Sequence, residues 1–452
     1  MKPADLRPED FVGAKSHPLT WSRREEIRKD VILQVLSALR FLLQRQEGDK
    51  PFLDTKFQVG SGKDFDRDDP LRGGHVIYTW IQGRGLEALA DHARWLEKEE
   101  AIGEELRESL ISAIRVVLPR VIGSMEAARA GQGGKLPFMM RSAGDPLMVD
   151  RAGEVVAGGS SADSNWSLSD LFYAKGLGAA ANYLGDFRLF ALAEQNFAGI
   201  IEAIRSGKFS SGQIGLDPKN PVQEVSGRFS HAGRMIGLSA ATQFYRCSGQ
   251  SHYFDLGLEF IEFILRYHVQ RGAGRFADGD FWEYVDSSGQ PWEDGARVWS
   301  DPGHATEFAG LAFAHLDARP DLGELFYGDL RRVLKRNFSN GFTGLGLMKA
   351  FDLSARMPIN SDLPWWALPE TMRAAALALP TAPADEKQEL VEIFLRSWEA
   401  FAGRFVRKEY HLLPVPCLDQ WGNESKAIPA VPDGDPGYHT GLSLLACLPA
   451  LN

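Results

Sequence analysis

Four segments bring histidine, carboxylate, arginine and tryptophan side chains to the ends of helix-like stretches. In DPGHATEFAGL, residues 301–311, Pro302 suits the first turn of a helix, and His304 and Glu307, three apart, lie side by side on it. A carboxylate beside an imidazole raises its basicity, so the pair reads as a proton-transfer unit, against a plain reading of a capping Glu and a half-buried His. In GDPGYHTGLSLLACL, residues 434–448, His439 opens the last helix after a Gly/Pro-rich loop. The positive end of the helix dipole favours a neutral imidazole there, the form that accepts a proton.

YTWIQGR, residues 78–84, sets Trp80 and Arg84 four apart on one helix face. The Arg84 fork suits hydroxyl groups or a developing oxyanion. In LPWWALPE, residues 363–370, adjacent Trp365 and Trp366 point in different directions. One can pack in a wall while the other offers a flat apolar face to a ring, with Glu370 reaching the same space. His231 in RFSHAGRMIGL opens a further helix and is a weaker candidate for the same pocket. His92, His252, His268 and His315 fall at outer or late helix positions and read as structural. No H-x-x-x-H or CxxC spacing implies a metal, and no glycine motif after a strand implies a nucleotide cofactor.

These side chains must be held by helices. About twelve amphipathic stretches are predicted, near 22–45, 75–97, 101–129, 166–184, 187–206, 227–247, 250–268, 302–317, 320–338, 363–379, 384–404 and 437–450. Ile27, Val31, Val35, Leu39 and Leu42 show the 3.6-residue period of the first. The stretches come in pairs broken by Gly or Pro, as in LGAAANYLGDFRLFALAEQNF at Gly185 and LSAATQFYRCSGQSHYFDLGLEF at Gly249. Between pairs lie LMVDRAGEVV, FWEYVDSSGQPW and LDQWGN, each with a D-x-x-G turn that reads as a β-hairpin. Six αα-hairpins closed into a ring with β-hairpins on one rim make an all-α (α/α)6 barrel. Without a Pro/Ser-rich linker, the expectation is a single domain over residues 1–452, with 1–20 as an N-terminal extension.

Composition narrows the partners. The 452 residues are 44% hydrophobic and carry a net charge of −10, without the basic stripe that phosphate backbones need, so nucleic acid is excluded. No apolar run reaches the roughly 18 residues that span a bilayer, and the N-terminus shows no secretory pattern. The three cysteines, Cys247, Cys417 and Cys447, make no disulfide framework. A cytoplasmic setting is expected.

Together the four segments resemble the N-acylglucosamine 2-epimerase, mannose isomerase and cellobiose 2-epimerase family. A W-x-Q-G-R-like stretch is matched by Trp80, Gln82, Gly83 and Arg84, following Tyr78. A P-G-H-x-x-E stretch is matched by Pro302, Gly303, His304 and Glu307, and a W-W-x-x-x-E stretch by Trp365, Trp366 and Glu370. A C-terminal G-P-Y/F-H stretch is partly matched by Gly437, Tyr438 and His439. The order agrees over roughly residues 75–450. The resemblance implies an (α/α)6 barrel and cofactor-free proton transfer at C2 of an open-chain sugar through an enediolate. It assigns His304 and His439 as acid and base and Glu307 as their assistant. Arg84, Tyr78, Gln82, Trp365, Trp366, Glu370, His231 and Arg234 would bind the substrate, a small carbohydrate; a homodimer is compatible with it. The chain departs from the pattern twice. SHAGRMIGLSA has Gly233 or Arg234 where the family has a histidine, and Thr440, Gly441 and Leu442 follow the last histidine in place of an Arg. Two rivals use the same barrel. A glycoside hydrolase or polysaccharide lyase would need carboxylates across the pocket, from Glu307, Glu370 and Asp163 or Asp170; a sugar-binding protein would need no acid/base pair.

Overall fold

Residues 23–150, 152–162, 164–211, 225–428 and 434–452 are described in the computed structural model. Twelve α-helices occur among them: α1 (Arg24–Gln44), α2 (Thr79–Leu96), α3 (Glu104–Gly131), α4 (Leu168–Leu184), α5 (Phe187–Arg205), α6 (Ala232–Ser248), α7 (Ser251–Tyr267), α8 (Pro302–Leu316), α9 (Pro320–Gly323), α10 (Tyr327–Gly341), α11 (Ala367–Ala378) and α12 (Ala384–Ala400). Two kinds of long helix alternate. In α7 the exposed residues Asp255, Glu259, Glu262 and Arg266 recur at helical spacing, opposite buried Phe254, Gly257, Phe260, Ile261 and Ile264. Such a one-faced helix belongs on an outer layer. In α4 every residue from Leu168 to Ala181 is buried, which requires neighbours on all sides.

The contacts follow that division. The inner elements α2, α4, α6, α8 and α11 pack each on the next, and α11 packs on a last segment, Tyr438–Ser443, which returns to α2. Outside them lie α3, α5, α7, α10 and α12, while α1 covers the closing segment. This is a closed (α/α)6 barrel in which the first described helix is the outer partner of the last inner element.

Short strands collect at one rim. Val76–Tyr78, Trp166–Ser167, Phe229–Ser230, Trp299–Ser300 and Leu363–Pro364 lead, within two residues, into α2, α4, α6, α8 and α11. All three D-x-x-G segments turn as the sequence predicts. Asp150, Asp286 and Asp419 each accept backbone N–H bonds from residues two and four positions on, at 2.8–3.0 Å. Gly153, Gly289 and Gly422 then take φ of 87°, 79° and 85°, a left-handed conformation that favours glycine. The rim is therefore at the N-terminal ends of the inner helices.

Three boundaries differ from the periodicity. The stretch at 320–338 divides into α9 and α10, the 384–404 stretch ends in a π-helical turn at Phe401–Phe405, and the last stretch is a π-helical turn, Tyr438–Ser443, followed by a 3-10 turn, Leu448–Leu451. The predicted extension at 1–20 lies outside the described residues.

Close approach of α2 and α4 depends on glycine. A Cβ on Gly83 would stand 2.6 Å from the backbone of Phe172 and Tyr173, and one on Gly176 would meet the Gly83 carbonyl. Backbone cannot swing aside as a side-chain end can. Gly83→Ala is expected to cost about 1–3 kcal/mol through overpacking, read as a lower urea midpoint with an unchanged m-value.

Candidate active site

A cavity of about 930 Å³ opens among the N-terminal ends of the inner helices. Its wall includes Arg84, His304, Glu307, Trp365, Trp366 and His439, drawn from α2, α8, the entry to α11 and the closing segment.

His304 stands in the first turn of α8. Asp301 caps that helix, accepting from the Gly303 and His304 N–H groups at 2.9 and 3.3 Å, and its other oxygen takes Lys349 Nζ at 2.6 Å. His304 Nδ1 meets Glu283 at 3.1 Å and Asp301 at 3.5 Å. Its Nε2 has no hydrogen-bond partner among the described residues, and 28% of the side chain is exposed. Burial disfavours the imidazolium, but Asp301 and Glu283 together outweigh it and push the His304 pKa up to about 9. Glu283 is pushed up by burial and pulled further down by His304 and His231, ending well below the usual carboxylate range. His304 is therefore the charged, proton-donating form at neutral pH.

With a folded pKa near 9 against 6.5 unfolded, the stability from this group is complete below about pH 6.5 and is lost as pH rises through about 9. Urea midpoints are expected to fall over that window, and Glu283→Gln to flatten the fall.

His439 is placed differently. Gly437, with φ of 87°, turns the chain into the closing segment. Asp435 accepts the backbone N–H groups of Tyr438, His439 and Thr440 at 2.8–3.2 Å. Leu442 N–H reaches back five residues to the Gly437 carbonyl at 3.2 Å, the wide turn often found at functional sites. His439 Nδ1 meets Glu370 at 2.7 Å, and the same carboxylate oxygen accepts from Ser443 Oγ at 2.7 Å. Its other oxygen pairs with Arg373. Burial raises the Glu370 pKa, but Arg373, His439 and Ser443 outweigh it and hold it at about 2. In the neutral ring this arrangement places the proton on Nδ1 and the lone pair on Nε2.

Trp366 lies between the two histidines, its ring centroid 5.3 Å from His304 and 5.8 Å from His439. Arg84 is caged by Phe172, Trp80 and Tyr438 at 4.4, 4.8 and 5.0 Å, with no carboxylate partner among the described residues. Stacking holds the guanidinium plane while its N–H edge stays available.

The structure gives several of the predicted residues other partners and places. His304 takes Glu283, not Glu307, as its carboxylate; Glu307 instead gathers with Glu370 and His439, one donor atom from each lying within 4.8 Å of the others. His231, Glu283 and His304 form a second such group. Both are metal-ligating types, and sequence spacing carries no trace of them because their members come from separate elements. Glu370 and His231 are fully buried behind the wall rather than on it, His231 reaching Glu283 at 3.3 Å. Gln82 is also behind it, with its amide bonded to the Leu53 N–H and carbonyl at 2.7 and 3.1 Å. Tyr78 is buried and donates to the Leu71 carbonyl at 3.1 Å. Asp170 is a helix-capping residue, accepting from Ser167 and Leu136, and Asp163 lies outside the described residues. Sequence reasoning missed Glu283, Asp301 and Lys349. Glu283 had a signal: one carboxylate between Trp282 and Tyr284 in an alternating strand-like stretch, where a charge facing inward needs a partner.

No family model matches the chain, and no curated protein matches it in sequence. Solved structures do match. A D-mannose isomerase superposes with a TM-score of 0.68 at 14% identity, covering 96% of this chain and all of that one. A cellobiose 2-epimerase from Spirochaeta thermophila gives 0.70 at 14% identity, covering 95% and 97%. The chain shares the (α/α)6-barrel fold of these sugar isomerases and epimerases. A family 76 glycoside hydrolase (mannosidase) from Bacteroides thetaiotaomicron matches less well, at 0.53 with 10% identity over 94% and 98%. At these identities the likeness is one of fold, so the function rests on the site. No helix among the described residues is long and apolar enough to cross a membrane.

Proposed function

We propose that this chain is a sugar 2-epimerase or aldose–ketose isomerase, acting by histidine-mediated proton transfer at C2 of an open-chain sugar. One observation carries the reading. Two imidazoles on different elements flank Trp366 in one cavity, each with Nδ1 held by a buried carboxylate and Nε2 unpartnered among the described residues. His439 Nε2 takes the C2 proton, and the electron pair moves onto the carbonyl oxygen, giving an enediolate. Charge-assisted donors stabilise such an oxyanion, and Arg84 and the His304 imidazolium supply them. Return of a proton to the opposite face of C2 gives the epimer; delivery to C1, with the C2 hydroxyl proton passing to the C1 oxygen, gives the ketose. Trp365 and Trp366 pack against the sugar, and Glu307 assists proton movement beside His439. Glu370 and Glu283 are positioning residues that orient the two rings. The chain works as a single domain.

The hydrolase reading needs two carboxylates across the pocket. Glu283 is bound to two histidines, Glu370 to His439 and Arg373, Asp301 to Lys349 and a helix start, and Asp170 to a cap. Those acids are committed, and Glu307, the further candidate on the cavity wall, is one carboxylate where two are needed, which favours proton transfer. Incubation with free sugars in heavy water tests this: deuterium is expected at C2 of recovered sugar. Release of a reducing end from a glycoside, without exchange, would replace the proposal by hydrolysis. Binding without either reaction would make the chain a sugar-binding protein.

A further inference from the structure

The wall opposite His439 holds a cation that proton transfer does not use. In the ring of six inner elements, α6 stands three places from the closing segment, across the barrel. Arg234, in the first turn of α6, lines the cavity there beside Phe263 and Tyr267 of α7. Its guanidinium stacks on Phe263, 3.7 Å from the ring centroid. It forms no hydrogen bond or ion pair with any described residue, although it is half-buried.

The nearby carboxylates are committed elsewhere. Glu259 pairs with Arg205. Glu283 is held by His304 and His231. Asp286, on the cavity lining, is tied into its own turn by the Ser288 and Gln290 N–H groups at 2.8 and 3.0 Å. Arg228 stacks on Tyr284, 4.3 Å from the ring centroid, on the same side of the cavity. Burial pulls the Arg234 pKa down, Glu259 offsets this in part, and Arg205 adds like charge. A half-buried guanidinium with no ion-pair partner among the described residues is costly unless a ligand completes it. Stacking fixes its plane and leaves its N–H fork for a planar or tetrahedral oxyanion. The space also exceeds a single sugar ring: 930 Å³ is near the top of the roughly 300–1,000 Å³ that encloses drug-sized ligands.

We infer that Arg234 is the receptor for an oxyanion group, a carboxylate, sulfate ester or phosphate ester, at the end of the sugar remote from C2, so that the substrate is an acidic sugar. This rests on the proposed proton transfer for its orientation and on the cavity wall for its chemistry.

The test compares D-mannose with D-mannose 6-phosphate, D-mannose 6-sulfate and D-mannuronate by C2 deuterium exchange, in the wild type, Arg234→Met and Arg234→Lys. The three acids also separate the sources of the anion. At least one acidic sugar is expected to exceed mannose in kcat/KM. That ratio should fall by about 10- to 100-fold in Arg234→Met, the scale of losing a hydrogen bond to a charged group, and by less in Arg234→Lys, which keeps charge without the fork. Inorganic sulfate should raise the unfolding temperature of the wild type more than that of Arg234→Met. Should Arg234→Met fail to fold, the lysine variant and the wild-type panel still decide. Exchange of mannose with no preference for any acid, or a preference that survives both substitutions, overturns the inference and leaves proton transfer standing. Arg234-dependent sulfate protection with no exchange on any sugar supports the receptor and removes the proton-transfer reading.

Discussion

His304→Ala and His439→Ala are each expected to lower turnover by about 10²-fold or more, the usual scale for removing a general acid or base. Each imidazole is oriented by a buried carboxylate on Nδ1, which leaves Nε2 without a partner among the described residues. If the rings served packing alone, both variants would unfold earlier but turn over normally once folded. As an acid/base pair, they stay folded and bind sugar while C2 exchange collapses. The two need not fail alike. Where each histidine serves one face of C2, one variant keeps exchange but loses conversion, marking an epimerase. Where one base carries the proton between C2 and C1, exchange is lost in a single variant, marking an isomerase. Near-wild-type turnover in either variant removes that residue from the mechanism.

Glu370→Ala should be the most destabilising of the site substitutions. Glu370 is fully buried and binds Arg373, His439 and Ser443 together. Its removal leaves the Arg373 charge buried and uncompensated, a loss of about 3–5 kcal/mol for breaking such a pair. Glu370→Gln keeps the shape and one acceptor oxygen for His439, so it should retain more stability and still lose turnover, because the His439 ring is no longer held by a charge. The pH dependence follows the depressed pKa: the contribution is present above about 4.5 and is lost as pH falls through about 2. Urea unfolding of the three proteins, with exchange rates on the folded fraction, checks both effects. An alanine variant as stable as the wild type would show that Arg373 finds another partner.

How much of this was legible beforehand depends on the range of the interaction. Helices and their pairing were readable because burial is periodic along one helix and Gly or Pro marks each reversal, as at Gly185 and Gly249. The D-x-x-G hairpins were readable because an Asp side chain binds its own turn. The resemblance carried His304, His439, Arg84 and Trp366 to one cavity without stating what holds them. Local spacing misled where a nearer partner was available along the chain: His304 and Glu307 are neighbours on α8, yet His304 binds Glu283, 21 residues back, and Glu307 lies with Glu370 and His439. Gln82 and Tyr78 carry binding chemistry by type, but backbone groups of Leu53 and Leu71 consume it. The sequence by itself thus determined the helical ring and the residue types on its rim. Tertiary structure alone decided which carboxylate faces which imidazole, and that the Arg234 guanidinium pairs with no described carboxylate. A buried charge takes whatever counter-charge folding brings within reach, and only closure of the barrel brings residues from different helices together.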